Sequence, residues 1–447
     1  MKYDFVAIGG GNAGLGATSR IAAAGHRVAL IDRGDIGGLC SLNGCNPKKV
    51  LVRSSEVLNE IRHAGKFGID VGGVRVDWNR VIDRKETFTR GVTEASEKSL
   101  QQQGIDLIKG SPRFVSRNAV EVNGNRVEAG AFLISTGSTP QPFSFPGAEL
   151  LKISDDILAL REVPKHLVII GAGVVAFEFG QVFARLGSRV TFLVRDQQAL
   201  SGNEQELVEA VVEFTRTLGA EFIFQASVQS VKRAASGLSV AVSAAGQNRE
   251  LPADFVLNAA GRVPSIGTLD LAKAEVKFDG RGIEVNDYLR SPSNPAIFAG
   301  GDAHGRMQLS PIASYEGRVV ARNFLEKDAE RVNYEAIPRC IYTVPPLASV
   351  GITEAQAAKR GMKFTVHTHD MAGWKVYGIM GEEIARAKII IEKNTDQILG
   401  AHIYGANAGD EIHFFALAMA AKVPASSLKN MVFAYPTFSS TLPYVFD

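Results

Sequence analysis

Cysteine is scarce in this chain: three in 447 residues, at Cys40, Cys45 and Cys340. So sparse and odd a set excludes a disulfide-stapled secreted scaffold. Neither sign of charge is in excess, with 49 Lys and Arg against 47 Asp and Glu. Without a basic field, no nucleic-acid partner is expected. Long apolar runs are missing as well, and none approaches the ~18 residues of a membrane-spanning helix. A strand-like run starts at Tyr3, leaving no room for a signal peptide before it, so the expectation is a cytoplasmic enzyme without a membrane partner. What is plentiful is glycine, 45 residues, in a chain otherwise of ordinary balance at 45% hydrophobic and 21% charged. Glycine in excess of the usual ~7%, without low complexity, implies tight turns and close backbone approach to ligands. The length alone implies about three domains.

The first forty residues alternate strand and helix signals. Tyr3–Ile8 is apolar, Gly9 to Gly14 is a glycine-rich turn, Leu15–Ala24 is an alanine-rich helix, and Arg27–Ile31 is a second buried strand ending at Asp32. This is a βαβ unit with parallel strands. The pattern returns at Leu167–Ile170, Gly171–Leu186 and Arg189–Val194, too far away for a solenoid repeat. Helical signals cover Lys48–Ala64 and Val81–Gln103. Pro140, Pro142 and Pro146 mark a boundary near residue 145. Ser227–Glu250 alternates as antiparallel strands do. From Tyr334 onward, prolines and the alternating stretches Lys363–His369 and Ala387–Glu392 imply an α+β domain.

Gly9-x-Gly11-x-x-Gly14 follows a strand and opens a helix, where a dinucleotide fingerprint must sit. The first glycine allows the turn, the second admits a pyrophosphate, the third packs helix on strand, and Asp32 is placed to bind a ribose diol. Gly171-x-Gly173-x-x-Ala176 is a second fingerprint. The position equivalent to Asp32 is here Val194, followed by Arg195. Loss of the acid and gain of a cation favour NADPH, with NADH the alternative.

Gly38-Leu39-Cys40 through Cys45-Asn46-Pro47-Lys48-Lys49 is a Cys-x4-Cys before a helix. Structural thiols, half of a metal site and a redox-active disulfide are all open readings of that spacing. No Cys/His pair of finger spacing accompanies it, so no metal site is expected.

With these motifs the chain resembles the FAD-dependent pyridine nucleotide–disulfide oxidoreductases, the family of dihydrolipoamide dehydrogenase, glutathione reductase and mercuric reductase. Gly38-x-Cys40-x4-Cys45-x-Pro47-x-Lys49 looks like the redox-disulfide motif. Ser135-Thr136-Gly137-Ser138-x-Pro140 resembles the first flavin turn, Ala260-Gly261-Arg262-x-Pro264 the crossover after the nicotinamide domain, and Phe298-Ala299-Gly300-Gly301-Asp302 the second flavin turn. Ile337-Pro338 through Gly351 resembles the start of the dimerisation domain.

The resemblance implies an α/β fold of two Rossmann-like domains and a C-terminal α+β dimerisation domain. Residues 1–145 and 266–330 would bind FAD, 146–265 the nicotinamide, and 331–447 the partner subunit of a homodimer. Gly9, Gly11, Asn12, Ala13, Gly14, Asp32, Gly38, Lys49, Thr136, Gly137, Gly261, Arg262, Gly301 and Asp302 would hold FAD. Gly171, Gly173, Ala176, Glu178 and Arg195 would hold the nicotinamide. By the same resemblance, Cys45 is the thiol nearer the flavin, Cys40 the interchange thiol, and Lys49 with Glu178 the ion pair beside the flavin. Electrons from NADPH would pass through FAD and the Cys40–Cys45 disulfide to a small-molecule disulfide, thiol-linked or soft-metal acceptor.

The C-terminal motif departs from the family. Disulfide reductases of the family place a histidine before Pro-Thr and a glutamate four residues beyond Pro, contributed to the site by the other subunit; this chain has Tyr435-Pro436-Thr437 and Ser440. Free tyrosine, with its pKa of ~10, is a poor base at neutral pH but a hydrogen-bond donor. Mercuric reductase is similar in having a tyrosine there, but its C-terminal cysteine pair is absent here, and Cys340 reads as a core residue. A relative that carboxylates ketopropyl-coenzyme M also lacks the histidine. Dihydrolipoamide dehydrogenase activity with NAD and a non-catalytic FAD-binding redox sensor are the alternatives. The missing histidine and Val194 argue against the first, and the intact Cys40, Cys45, Lys49 and Glu178 against the second.

Overall fold

Phe5, Val6, Ala7 and Ile8 are each at most 1% exposed. Consecutive apolar residues take that form when a strand is covered on both faces, as in a parallel sheet. The computed structural model describes residues 1–447 and divides into two units. Met1–Val50, Ile82–Pro142 and Gly261–Asn333 form one; Leu51–Val81, Phe143–Ala260 and Tyr334–Asp447 form the other.

In the first unit the parallel order is Asp106–Lys109, Val28–Asp32, Lys2–Ile8, Asn125–Ile134, Ile297–Ala299. The chain winds outward from Lys2–Ile8 and then returns on its other side. The carboxyl ends of Lys2–Ile8 and Asn125–Ile134 therefore flank a topological switch point, where open α/β sheets bind ligands. The start of Asn125–Ile134 also carries the antiparallel strands Ala119–Val122 and Arg113–Ser116. Helices Asn12–Ala23 and Ser310–Leu325 pack so closely that a Cβ on Gly317 would lie 2.5 Å from the Ala13 carbonyl oxygen.

The second unit repeats the winding with Glu221–Phe224, Arg189–Val194, His166–Ile170 and Phe255–Asn258, all parallel. Ala226–Arg233, Leu238–Ala244 and Gln247–Ala253 make the antiparallel sheet that the alternation implied. A five-stranded antiparallel sheet follows, ordered Arg339–Ile341, Leu347–Gly351, Ile398–Gly405, Ala385–Glu392, Phe364–Asp370. Helix Ala408–Ala420 buries Ile412, Phe415 and Ala416 in the same core. The fold is thus α/β in its two parallel sheets and α+β at its C-terminal end.

Two helices differ from expectation. The one implied over Val81–Gln103 is two, Trp78–Thr87 and Val92–Gln102. Gly91 separates them with φ +79°, a left-handed conformation that a continuous helix cannot contain. The helix expected from Lys48 begins at Cys45 and runs to His63. No helix is long and apolar enough to cross a membrane.

Candidate active site

The first fingerprint closes on its own backbone. A Cβ on Gly9 would sit 2.2 Å from the Ser135 carbonyl oxygen, and one on Gly14 2.0 Å from that of Gly9. One on Gly11 would meet nothing nearer than 3.8 Å, so that glycine leaves an open side for a ligand. Asp32 ends its strand with both oxygens engaged: Oδ2 accepts from the Gly10 N–H at 2.6 Å and Oδ1 from that of Gly34 at 2.8 Å. These bonds fix a carboxylate at the position where a ribose diol would donate to it. The Thr136 hydroxyl oxygen, beside Gly137 in the first flavin turn, is buried with no hydrogen-bond partner in the protein. An orphan polar atom of this kind calls for an outside partner, and the residues present fit a bound dinucleotide such as FAD.

The cysteine motif packs directly on this fingerprint. Gly38 has φ +71°, and a Cβ on it would fall 2.6 Å from the Gly11 Cα. The short helix Gly38–Leu42 carries half-buried Cys40, and exposed Cys45 opens the long helix Cys45–His63. Both cysteines are thiols here and lie within hydrogen-bonding range of each other. The Cys45 thiol, the Ser310 hydroxyl and the Cys45 backbone N–H all hydrogen-bond to Cys40, and Lys48 adds its charge; against burial, they lower its pKa to about 6. Holding the proton for that pair, with partial desolvation of the sulfur in addition, raises the Cys45 thiol. The hydrogen bond between the two sulfurs therefore sets them apart, favouring the thiolate on Cys40 and the proton on Cys45, while the first amide of the long helix favours the charged form of both. Lys49 follows Cys45 by one helical turn, on the same face.

Ser310 is also held from the fingerprint side, since Asn12 Nδ2 donates to its Oγ at 2.7 Å. Asn12, Ser310 and Cys40 form one chain of polar contacts. Asp302 accepts from the Ser138 hydroxyl at 2.6 Å, and Arg262 donates to Ser138 Oγ at 2.8 Å and to its carbonyl at 2.5 Å. Beneath that turn, Glu316 Oε2 accepts from the Gly301 N–H at 2.6 Å and lies 2.9 Å from His304 Nε2, both side chains fully buried. Gly9, Gly11, Asn12, Ala13, Gly14, Asp32, Gly38, Cys40, Cys45, Lys49, Thr136, Gly137, Gly261, Arg262, Gly301 and Asp302 all lie in the first unit. Sequence reasoning missed Ser310, His304 and Glu316, and took Ser138 only as part of the first flavin turn. Ser310 opens a helix next to Pro311, a cap-like signal, but its partner Asn12 is 298 residues away and no local pattern links them.

Gly171, Gly173, Ala176, Glu178, Arg195 and Tyr435 lie in the second unit. A Cβ on Gly171 would sit 2.3 Å from the Ala259 carbonyl oxygen, while one on Gly173 meets nothing within 4 Å. This fingerprint therefore has the same closed turn and open second position as the first. Ala176 is fully buried, and Glu178 is 4% exposed with Oε1 accepting from the Tyr342 N–H at 2.9 Å. Val194 is buried, whereas the Arg195 side chain is 88% exposed and grips Asp196 at 3.1 and 3.2 Å. The expected cation is present, but so is a carboxylate that sequence reasoning did not weigh. Tyr435 is 65% exposed. Ser440 is used up in the helix cap: its N–H donates to Thr437 Oγ1 at 3.2 Å and its hydroxyl to the Thr437 carbonyl at 2.5 Å. It does not orient Tyr435 as a glutamate would orient a histidine.

The chain that carries these two fingerprints and the thiol pair matches the family model "Pyridine nucleotide-disulphide oxidoreductase" over residues 3–317, and the dimerisation domain of the same family over 337–445. The chain belongs to that family. It is accordingly an NAD(P)H-dependent FAD oxidoreductase. It is similar to a dihydrolipoyl dehydrogenase of Bacillus subtilis (strain 168), 33% identical over 444 residues, 97% of this chain and 96% of that one. Likeness to a mercuric reductase of Bacillus cereus is 32% over 444 residues, 98% of this chain and 70% of that one. A glutathione reductase of Burkholderia cepacia is 31% identical over 442 residues, 98% of each. Among solved structures, the Cu(II) complex of the HOCl-induced flavoprotein disulfide reductase RclA from Escherichia coli superposes with a TM-score of 0.88 at 27% identity, covering 100% of this chain and 99% of that one. Relatives with differently named activities stand at nearly equal identity, so overall identity does not single out an acceptor.

Proposed function

We propose that this oxidoreductase takes electrons from NADPH and delivers them through Cys40 and Cys45 to a disulfide, thiol-linked or soft-metal acceptor. FAD, when bound, supplies the two-electron relay between nicotinamide and thiols. The observation that carries the reading is the packing of the cysteine motif on the first fingerprint, with Cys40 in hydrogen-bonding range of Cys45 and Ser310, contacts that lower its pKa to about 6. A thiol of that kind is ionised at neutral pH and can attack a disulfide or bind a soft metal. Cys45 serves as the thiol nearer the flavin.

Residues 1–145 with 266–330 are the FAD domain in this reading, 146–265 the nicotinamide domain, and 331–447 the interface domain of a homodimer. Gly9, Gly11, Asn12, Ala13, Gly14, Asp32, Gly38, Thr136, Gly137, Gly261, Arg262, Gly301 and Asp302 hold FAD. Lys49 and Glu178 serve as the charged pair beside it. Gly171, Gly173, Ala176 and Arg195 hold the nicotinamide. Tyr435 offers the acceptor a hydrogen bond in place of the family's histidine. A reactive dithiol suits a reducing compartment, which supports a cytoplasmic location.

Anaerobic NADPH titration of the FAD-loaded enzyme tests the relay. The wild type is expected to take up more than one two-electron equivalent and to develop a long-wavelength absorbance band that Cys45→Ser abolishes. Uptake of one equivalent alone would mean that the thiols are not in the path. The Arg195–Asp196 pair favours a second reading, use of NADH, because a guanidinium held by a carboxylate has less charge to offer a 2′-phosphate. Comparing kcat/KM for the two coenzymes decides between them. NADPH is expected to be preferred, and Arg195→Glu is expected to reverse the preference; a wild type that prefers NADH refutes the coenzyme assignment.

A further inference from the structure

Helix Val174–Arg185 presents Glu178, Gln181 and Arg185 on one face, at most 4% exposed each. All three reach the same short segment. Glu178 Oε1 accepts from the Tyr342 N–H at 2.9 Å, Gln181 Oε1 accepts from the Val344 N–H at 2.8 Å, and Arg185 Nη2 donates to the Val344 carbonyl at 2.5 Å. The segment connects strands Arg339–Ile341 and Leu347–Gly351. Pro345 and Pro346 deny it two backbone donors, so it cannot continue as a ladder strand. In extended chain the amides of alternate residues point the same way. Tyr342 and Val344 therefore offer two donors on one edge, and the helix supplies the acceptors that a neighbouring strand would otherwise provide.

Gln181 and Arg185 are themselves braced. Arg185 Nη1 donates to Gln181 Oε1 at 3.2 Å, and Gln181 Nε2 donates to Thr215 Oγ1 at 2.9 Å. The Phe214 ring lies 5.6 Å from the Arg185 guanidinium. Burial draws the Arg185 pKa down to about 10, so it stays charged at neutral pH. Only Glu178 has a proposed part in the chemistry. The other two have none, and yet they hold the same segment that holds its carboxylate.

We propose that Gln181 and Arg185 are positioning residues: by gripping Val344 they fix the Tyr342 amide, and through it the carboxylate of Glu178. The proposal rests on the role given to Glu178 above. Its direct consequence is that loosening Val344 frees Tyr342 and lets Glu178 turn away from its working rotamer, while the thiol pair is untouched. Misplacement of a working group by about 1 Å can cost tenfold or more in rate.

Gln181→Met removes the acceptor but keeps the bulk, and Gln181→Glu restores an acceptor. Three readouts on the FAD-loaded protein separate positioning from general damage. Amide exchange of the peptide spanning 340–346 is expected to be about tenfold faster in Gln181→Met. Flavin reduction by the nicotinamide coenzyme in stopped flow is expected to slow by about tenfold. The alkylation rate of Cys40 is expected not to change. Gln181→Glu should recover the first two, and Gln181→Met should add nothing on a Glu178→Gln background. Unaltered exchange at 340–346, or alkylation and reduction falling together, overturns the proposal. If Glu178→Gln alone leaves flavin reduction at the wild-type rate, the role of Glu178 is what fails; if Glu178→Gln slows reduction and Gln181→Met does not, positioning is what fails.

Discussion

Cys40 owes its reactivity to neighbours from two distant parts of the chain. Cys45 is legible in the sequence because it shares a motif with Cys40. Ser310 is not, because it reaches the thiol only when helix Ser310–Leu325 packs on helix Asn12–Ala23. A hydrogen bond to a charged group contributes about 1.5–3 kcal/mol. Ser310→Ala should therefore raise the Cys40 pKa and move the midpoint of its alkylation profile upward by roughly one pH unit. The sign follows from which form the hydroxyl favours: it donates to the thiolate, so its loss favours the thiol, and less of Cys40 is reactive at neutral pH. Iodoacetamide rates across pH 5 to 9 on the reduced enzyme provide the check. An unmoved midpoint would mean that the serine only packs. The same logic explains why Asp196 escaped notice: a fingerprint specifies the end of a strand, and Asp196 lies beyond it, where only the side-chain geometry shows it gripping Arg195.

At the level of elements, the two βαβ units were readable because their signals are local: an apolar run, a glycine turn and a helix within about 30 residues. The break at Gly91 was not, because an isolated glycine inside an amphipathic pattern does not announce a left-handed conformation. The two glycines of the second fingerprint separate structure from binding. Gly171→Ala would force a Cβ to within 2.3 Å of the Ala259 backbone. Such a clash has no flexible side chain to absorb it and is expected to cost about 1–3 kcal/mol, read as a lower Tm. Gly173→Ala meets nothing within 4 Å and should leave Tm within a degree or two while raising KM for the coenzyme. Thermal melts beside steady-state kinetics distinguish the two. If Gly173→Ala melts as early as Gly171→Ala, the open position is structural and the ligand argument for it falls.

For the whole molecule, four exposed apolar residues near the C-terminal end of the second unit point beyond the single chain. Val432 is 97% exposed, and Leu417, Met431 and Tyr435 are each close to half exposed or more. Apolar side chains grouped in this way mark a contact surface. All four fall within 337–445, the stretch matching the family's dimerisation domain. The order of domains was legible in the sequence because each carries its own motif, but the acceptor was not. Tyr435 falls where the family's motif has a histidine, and in the proposed homodimer what it meets depends on a second copy of the chain. Val432→Asp puts a charge on the most exposed of the four, where desolvation in an interface is costly. Light scattering should give a dimer for the wild type and a monomer for this variant at micromolar concentration. Because the proposed site needs Tyr435 from the partner, acceptor reduction should fall in the monomer while flavin reduction by the coenzyme persists. A monomer that turns over at the wild-type rate would place Tyr435 outside the acceptor site; a variant that remains dimeric would move the interface elsewhere on the domain.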